Sequence, residues 1–150
     1  MIRLHKTIAS CLGIGYSKGG GTIAALLVCG VWWMVRANGH FQLIMPAVTT
    51  LLIVVGIWSA NKVEAVWGID SSRVVIDEAA GMCISLLFIP VTLSNVLVGL
   101  ILFRFFDIAK PLFIRKAESL PGGWGVMADD VLAGFYTNLL LQAIVYFNVL

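Results

Sequence analysis

Four stretches of this chain, residues 19–35, 37–60, 79–103 and 131–150, contain no Lys, Arg, Asp or Glu. Each approaches or exceeds the ~20 apolar residues that carry a helix across the ~30 Å hydrocarbon core of a bilayer. Backbone N–H and C=O groups in lipid must find partners within the protein, and the alternation of a membrane barrel strand is missing. The expected fold is therefore all-α, a polytopic helical membrane protein, with one domain over residues 1–150. Composition agrees, since 60% of the residues are hydrophobic and 12% charged, far from the balance of a water-soluble domain. A net charge of +2 without any Lys/Arg run argues against nucleic acid as a partner.

Cys11, Cys29 and Cys83 are widely spaced in apolar surroundings, which builds neither a disulfide framework nor a zinc site; they read as small buried hydrophobes. His5 and His40 have no ligand-like neighbours and are expected at a surface or interface. No small-residue cleavage site follows the first apolar run, so that run is expected to remain in the mature protein. Ile8, Cys11 and Leu12 keep helical spacing, which predicts an interfacial helix before the first span.

Basic residues orient the chain. Arg3, Lys6 and Lys18 precede the first span while only Arg36 follows it, which places the N-terminus in the cytoplasm. Two crossings return the chain there with Lys62 and Arg73. A further straight crossing over 79–103 would export Arg104, Lys110, Arg115 and Lys116, against the positive-inside rule. Pro90 lies near the middle of that stretch, where a proline removes a backbone hydrogen bond and breaks or kinks a helix. About three full spans plus a re-entrant helical hairpin turning at Pro90, with arms of about eleven residues too short to cross, resolve the conflict. The alternative is one long kinked span.

The polar connections at 61–78 and 104–130 hold every acidic residue of the chain, and the hairpin puts both on the cytoplasmic face. Asp77-Glu78 precede one apolar run and Asp129-Asp130 another, the second pair following a Pro121-Gly122-Gly123-Trp124-Gly125 turn. One acid of each pair could be a helix N-cap. Capping leaves the second without a structural role, and a hard cation such as Mg²⁺, which takes carboxylate oxygens and keeps sites for phosphate oxygens, would supply one. Arg104, Asp107 and Lys110 recur every third residue before Pro111, either as an ion ladder at the lipid boundary or as cations that grip a phosphoryl group beside a metal-binding carboxylate. Arg115 reaches the same phosphate or sits among lipid headgroups.

The segment Gly13-Ile14-Gly15-Tyr16-Ser17-Lys18-Gly19-Gly20-Gly21-Thr22 fits neither the dinucleotide fingerprint nor the P-loop, and reads as a flexible loop opening a helix with Thr22 as cap and free N–H groups. No cysteine has an arginine six positions on, no Asp-x-Asp occurs, and the two histidines lack the basic company expected of a histidine-nucleophile lipid phosphatase. The Cys-based phosphatase loop, the haloacid-dehalogenase type of aspartyl nucleophile and the histidine-nucleophile lipid phosphatase are thereby excluded; metal-assisted hydrolysis remains, either by direct attack of water or through an aspartyl phosphate on Asp77, Asp107 or Asp129.

The runs Val75-Ile76-Asp77-Glu78-Ala79-Ala80-Gly81-Met82, Phe103-Arg104-Phe105-Phe106-Asp107-Ile108-Ala109-Lys110-Pro111 and Gly122-Gly123-Trp124-Gly125-Val126-Met127-Ala128-Asp129-Asp130-Val131-Leu132-Ala133-Gly134 resemble, in order and spacing, the three motif blocks of the phosphatidylglycerophosphatase A family. The likeness extends from about Gly13 to the C-terminus. It implies a Mg²⁺-dependent phosphomonoesterase of the bacterial inner membrane, facing the cytoplasm, that converts phosphatidylglycerophosphate to phosphatidylglycerol on the way to cardiolipin. It also implies Asp77, Glu78, Asp107, Asp129 and Asp130 as metal ligands, with Asp77, Asp107, Asp129, Arg104 and Lys110 in catalysis and Arg104, Lys110 and Arg115 on the phosphate. The resemblance breaks at the N-terminal block, where relatives commonly read Pro-Gly-Thr and then Gly-Ser, and this chain has Gly20-Gly21-Thr22 followed by Ile23-Ala24-Ala25. The rival expectations are a phosphatase of another lipid phosphate and a non-enzymatic membrane scaffold or small transporter.

Overall fold

The structure is a computed structural model that describes residues 1–37 and 40–149. Among the described residues it is all helical: α1 (Ile2–Ala9), α2 (Gly20–Val35), α3 (Phe41–Trp67), α4 (Ile76–Leu86), α5 (Leu93–Ala109), α6 (Ile114–Glu118) and α7 (Gly123–Tyr146), with a short 3₁₀ turn at Ile14–Tyr16. One described helix is long and apolar enough to cross a bilayer, namely α3 with 27 residues and a mean hydropathy of 2.1 over its most apolar window; it measures about 40 Å at the usual rise. The apolar α2 has only 16 residues. The 24-residue α7 is long enough but carries Asp129, Asp130, Asn138 and Gln142, so by length and composition one described helix could cross a bilayer, where three full spans were expected.

The short helix α4 is the hub, packed against α2, α3, α5 and α7. Its pairing with α5 is the expected hairpin. The chain breaks at residues 87–92 around Pro90, and α5 restarts with Thr92 Oγ1 accepting from the Asn95 N–H at 3.1 Å. Asn95 Nδ2 donates to the Pro90 carbonyl at 2.8 Å. Gly81 lies against the Phe103 ring, and Gly99 against Leu86 and Met82, so the arms run antiparallel. They are unequal, 11 and 17 residues, where two arms of about eleven were expected. The ion pair between Arg104 and Asp107, one turn apart, keeps α5 helical beyond Phe103 until Lys110 adopts a left-handed cap before Pro111.

The α4–α7 pairing is the most extensive in the molecule. These helices run parallel: Gly81 meets Asp130 and Gly134, and further along Asn138 Nδ2 donates to the carbonyls of Ile84, Ser85 and Leu87 at 3.1, 3.2 and 2.8 Å. These carbonyls lie at the end of α4 in apolar surroundings, where the Ile84 carbonyl also accepts from the Leu87 N–H at 3.2 Å. Gln142 Nε2 donates to Asn138 Oδ1 at 2.6 Å and holds the amide in place. Asn138→Leu should therefore lower stability by about 1–3 kcal/mol, the cost of leaving buried acceptors unmet, measured as a fall in the denaturation midpoint in detergent.

Several local expectations are corrected. The N-terminal helix ends at Ala9, and Cys11 and Leu12 lie beyond it with φ of +46° and +61°. His5, expected at a surface, is buried against Trp58, ring centroids 4.4 Å apart, with Nδ1 3.5 Å from Ser59 Oγ; α1 packs on α3 and needs a polar side chain to meet Ser59. Thr22 does not cap α2, because Gly19 at φ +77° opens that helix. All three cysteines are free; Cys29 and Cys83 are buried, while Cys11 is half-exposed.

Candidate active site

Neither acidic pair caps its helix. Val75 occupies the N-cap position of α4, so Asp77 and Glu78 stand in its first turn, where a carboxylate also gains from the helix dipole. The loop expected around Gly125 ends at Gly122, whose φ is +60°. Asn61 Oδ1 on α3 accepts from the Gly123 N–H at 2.7 Å and starts α7 there. Asp129 and Asp130 consequently lie inside α7, nearly two turns from its start, rather than at its mouth.

That shift brings the acids together. Asp130 sits one turn before Gly134 and Asp77 one turn before Gly81, and these two glycines are where the parallel helices touch. One carboxylate oxygen from each of Asp77, Glu78 and Asp130 lies within 4.8 Å of the others. Asp77 Oδ1, Glu78 Oε2 and Asp130 Oδ2 are buried without a hydrogen-bond partner.

Burial and then the neighbouring negative charges push the carboxyls of Asp77 and Asp130 well above the usual range; Glu78 bears most strongly on Asp77, and Asp107 on Asp130. Burial also raises Glu78. For Asp129 burial raises and Lys110 opposes, with the net upward.

The antiparallel arm α5 delivers the cations. Arg104 forms an ion pair with Asp107. Lys110 Nζ bridges Asp129 Oδ2 at 2.7 Å and Glu118 Oε1 at 2.9 Å. Burial works against the Lys110 charge, but the bonds to Asp129 and Glu118 outweigh it and hold the ammonium firmly protonated. Asp129 Oδ1 accepts from the Asp130 N–H at 3.0 Å, so this carboxylate is fully engaged and turned toward Lys110 rather than toward the three-acid cluster. Asp107 pairs with Arg104 through one oxygen and also lies against Asp130. Of the five acids expected to hold metal, Asp77, Glu78 and Asp130 each bring one oxygen within 4.8 Å of the others, while Asp107 and Asp129 each also pair with a cation. Arg115 is exposed on α6 and makes no ion pair or hydrogen bond among the described residues.

Beside the cluster opens a cavity of about 620 Å³ lined by Gly15 to Thr22, Ser72, Arg73, Glu78 and Arg104. Gly21 presses on Glu78 so closely that a Cβ there would overlap Oε1. The glycine-rich loop thus forms the cavity wall, and Lys18 and Arg73 join Arg104 around it. Sequence reasoning missed Lys18 and Arg73 as site residues; the one signal was the run of glycines between Gly13 and Thr22.

The profile of the phosphatidylglycerophosphatase A family matches residues 7–145, which include every residue of this site. The chain belongs to the phosphatidylglycerophosphatase A family. A phosphatidylglycerophosphatase A of Escherichia coli is 30% identical over 91% of this chain and 80% of its own length. One of Haemophilus influenzae is 41% identical over 65% of this chain and 62% of its own. A protein of Bacteroides thetaiotaomicron, provisionally named a phosphatidylinositol-3-phosphatase, is 42% identical over 92% of this chain and 91% of its own. No solved structure gives a significant match.

Proposed function

We propose that this member of the phosphatidylglycerophosphatase A family is a Mg²⁺-dependent phosphomonoesterase that hydrolyses phosphatidylglycerophosphate to phosphatidylglycerol and phosphate. The observation that carries the reading is the trio of buried, unpartnered carboxylate oxygens on Asp77, Glu78 and Asp130 at the edge of an open cationic cavity. A buried carboxyl without a partner favours its neutral form, and a bound cation is what would let the three ionise together. An all-oxygen, acidic donor set with no cysteine or histidine in it fits a hard divalent ion and not zinc.

Asp77, Glu78 and Asp130 would hold the ion, which when bound withdraws charge from phosphoryl oxygens and acidifies water. Arg104, aimed by Asp107, grips the phosphoryl oxygens and stabilises the charge that builds on them. Lys110 fixes Asp129 beside Asp130 and opposes the upward push of burial on the Asp129 carboxyl. Water adds to phosphorus, the bond to the glycerol oxygen breaks, and that oxygen leaves as the alcohol. Arg115, exposed beyond this core, meets the lipid headgroup.

Membrane placement follows from the outer surface. Leu26, Leu27, Val31 and Met34 of α2, Leu43, Leu51, Val54 and Trp58 of α3, Ile101, Phe105 and Ile108 of α5, and Phe135 and Leu139 of α7 are all exposed, more apolar surface than a water-soluble monomer carries. Lys18, Arg73 and Arg104 line one cavity beside the acids, which supports a cytoplasmic position for that end under the positive-inside rule. In the proposed topology α2, α3 and the part of α7 beyond Asp130 cross the bacterial inner membrane, α4–α5 re-enters as a pair, and a headgroup reaches the site from the cytoplasmic leaflet.

The Bacteroides relative supports a second headgroup, an inositol phosphate. Phosphate release by detergent-purified protein from phosphatidylglycerophosphate, phosphatidylinositol 3-phosphate and phosphatidic acid decides between them. Release from phosphatidylglycerophosphate is expected in Mg²⁺, to fall at least about a hundredfold in EDTA and to return with Mg²⁺, as expected when a catalytic charge is removed. Faster release from the inositol lipid moves the substrate to that headgroup, and no release from any of them by folded protein returns the chain to the scaffold or transporter class.

A further inference from the structure

The cations at the acid cluster are spoken for, whereas those across the cavity are not. Arg104 is paired with Asp107, and Lys110 with Asp129 and Glu118. Lys18 and Arg73 line the same cavity, and neither forms an ion pair among the described residues. The position of Arg73 is nevertheless built. The Arg73 guanidinium stands 5.9 Å from the Tyr16 ring and 6.0 Å from the Trp67 ring, and those rings meet edge to face at 5.8 Å. Gly15 packs on the Arg73 carbonyl so tightly that a Cβ would overlap it. The Val75 N–H donates to the Ala9 carbonyl at 2.9 Å, tying the loop before α4 to the segment after α1. Two loops distant in sequence are thus locked together with unneutralised positive charge facing the cavity that ends at Glu78 and Arg104.

Two anionic groups fit such a cavity, one at each end. We infer that Lys18 and Arg73 form a second anion subsite that holds the internal phosphodiester of the substrate while Asp77, Glu78, Asp130 and Arg104 act on its terminal phosphomonoester. The inference rests on the phosphatase reading above. It also makes sense of two headgroup names within one set of relatives, because a glycerol phosphate and an inositol phosphate differ in the polyol but share a monoester outside and a diester inside. Both diesters carry one negative charge at neutral pH, and Arg meets such oxygens in a planar fork while Lys adds a point charge. A lipid with a monoester alone, such as phosphatidic acid, leaves the subsite empty.

The test compares kcat/KM for phosphatidylglycerophosphate and for phosphatidic acid in mixed micelles with Mg²⁺, for the full chain and for Lys18→Gln, Arg73→Gln and Arg73→Lys. Wild type should prefer the diester-containing lipid. Lys18→Gln and Arg73→Gln should each lower kcat/KM for it by roughly tenfold or more, the worth of one charge-assisted hydrogen bond, chiefly through KM. Their phosphatidic acid turnover should stay within about twofold, and Arg73→Lys should recover part of the loss. Equal losses on both lipids would show that Lys18 and Arg73 only support the fold or the reacting phosphate, and would overturn the subsite. Turnover of both lipids by wild type with equal kcat/KM would also overturn it while leaving the phosphatase reading intact. Failure of wild type on every lipid would remove that reading and the subsite with it.

Discussion

Asp130→Asn is expected to cut turnover of phosphatidylglycerophosphate by roughly 10²–10³-fold, the scale on which removing a preorganised catalytic charge acts, without loss of fold. The reason lies in what Asp130 does for the protein when nothing occupies the site, which is nothing favourable. Its Oδ2 is buried and unpartnered, and Asp107, Glu78 and Asp129 all push its carboxyl upward after burial has done so. A carboxyl whose folded-state pKa is raised binds its proton more tightly folded than unfolded. Its contribution favours folding at low pH and turns against folding as pH rises past the unfolded value. Above the unfolded value the Asp130 carboxyl therefore costs stability, and a neutral isostere relieves that cost. The denaturation midpoint of Asp130→Asn in EDTA should equal or exceed that of wild type, whereas Mg²⁺ should raise the midpoint of wild type and not of the variant. Full activity of the variant in saturating Mg²⁺ would remove Asp130 from the site. A collapsed midpoint with lost activity would make it a structural residue. Asp107→Asn tests a different role, since Asp107 aims Arg104: its loss should fall on the phosphate grip and leave the stabilisation by Mg²⁺ in place.

Much of this arrangement was legible in the sequence, for reasons that differ by element. Charge-free runs and Pro90 locate α2, α3 and the α4–α5 turn because composition and proline chemistry act locally. The same is true of Asp77-Glu78, whose place in the first turn of α4 misses the expectation by only a residue or two. Asp129-Asp130 were placed wrongly because the start of α7 is set by Asn61, sixty-two positions away, which meets the Gly123 N–H, and no local signal announces that bond. The division of labour among the acids was hidden for a similar reason. Asp129 and Asp130 are neighbours in sequence, but adjacent helical residues point about 100° apart, so one turns to Lys110 and the other to Asp77. Lys18 and Arg73 were invisible as site residues because two loops remote in sequence bring them together. His5 failed differently: its neighbours in sequence explain nothing, and its partners Trp58 and Ser59 belong to α3.

Gly134→Val should destabilise the protein by about 3 kcal/mol, the upper part of the range for overpacking a tight contact, and abolish activity in whatever fraction stays folded. A Cβ at residue 134 would overlap the Gly81 carbonyl oxygen, and one at residue 81 would stand 2.6 Å from the Asp130 carbonyl oxygen and 2.6 Å from Phe103 Cε2. The obstructing atoms at position 134 are backbone, so no rotamer change accommodates the added group and the helices must separate. Separation is felt one turn away, where Asp77 and Asp130 converge, and three turns are affected because Asn138 holds the other end of α4. Small residues at a helix crossing are a common means of close approach in membranes, where no hydrophobic force distinguishes protein from lipid. Here the closeness sets the spacing of carboxylates. Gly30→Ala in α2 is the control: a Cβ there meets nothing within 4 Å, so the change should leave activity alone and raise stability by up to about 1 kcal/mol through helix propensity. If Gly134→Val kept both midpoint and turnover, the glycine contact would not be what positions Asp130 against Asp77, and the cluster would owe its geometry to the hairpin alone.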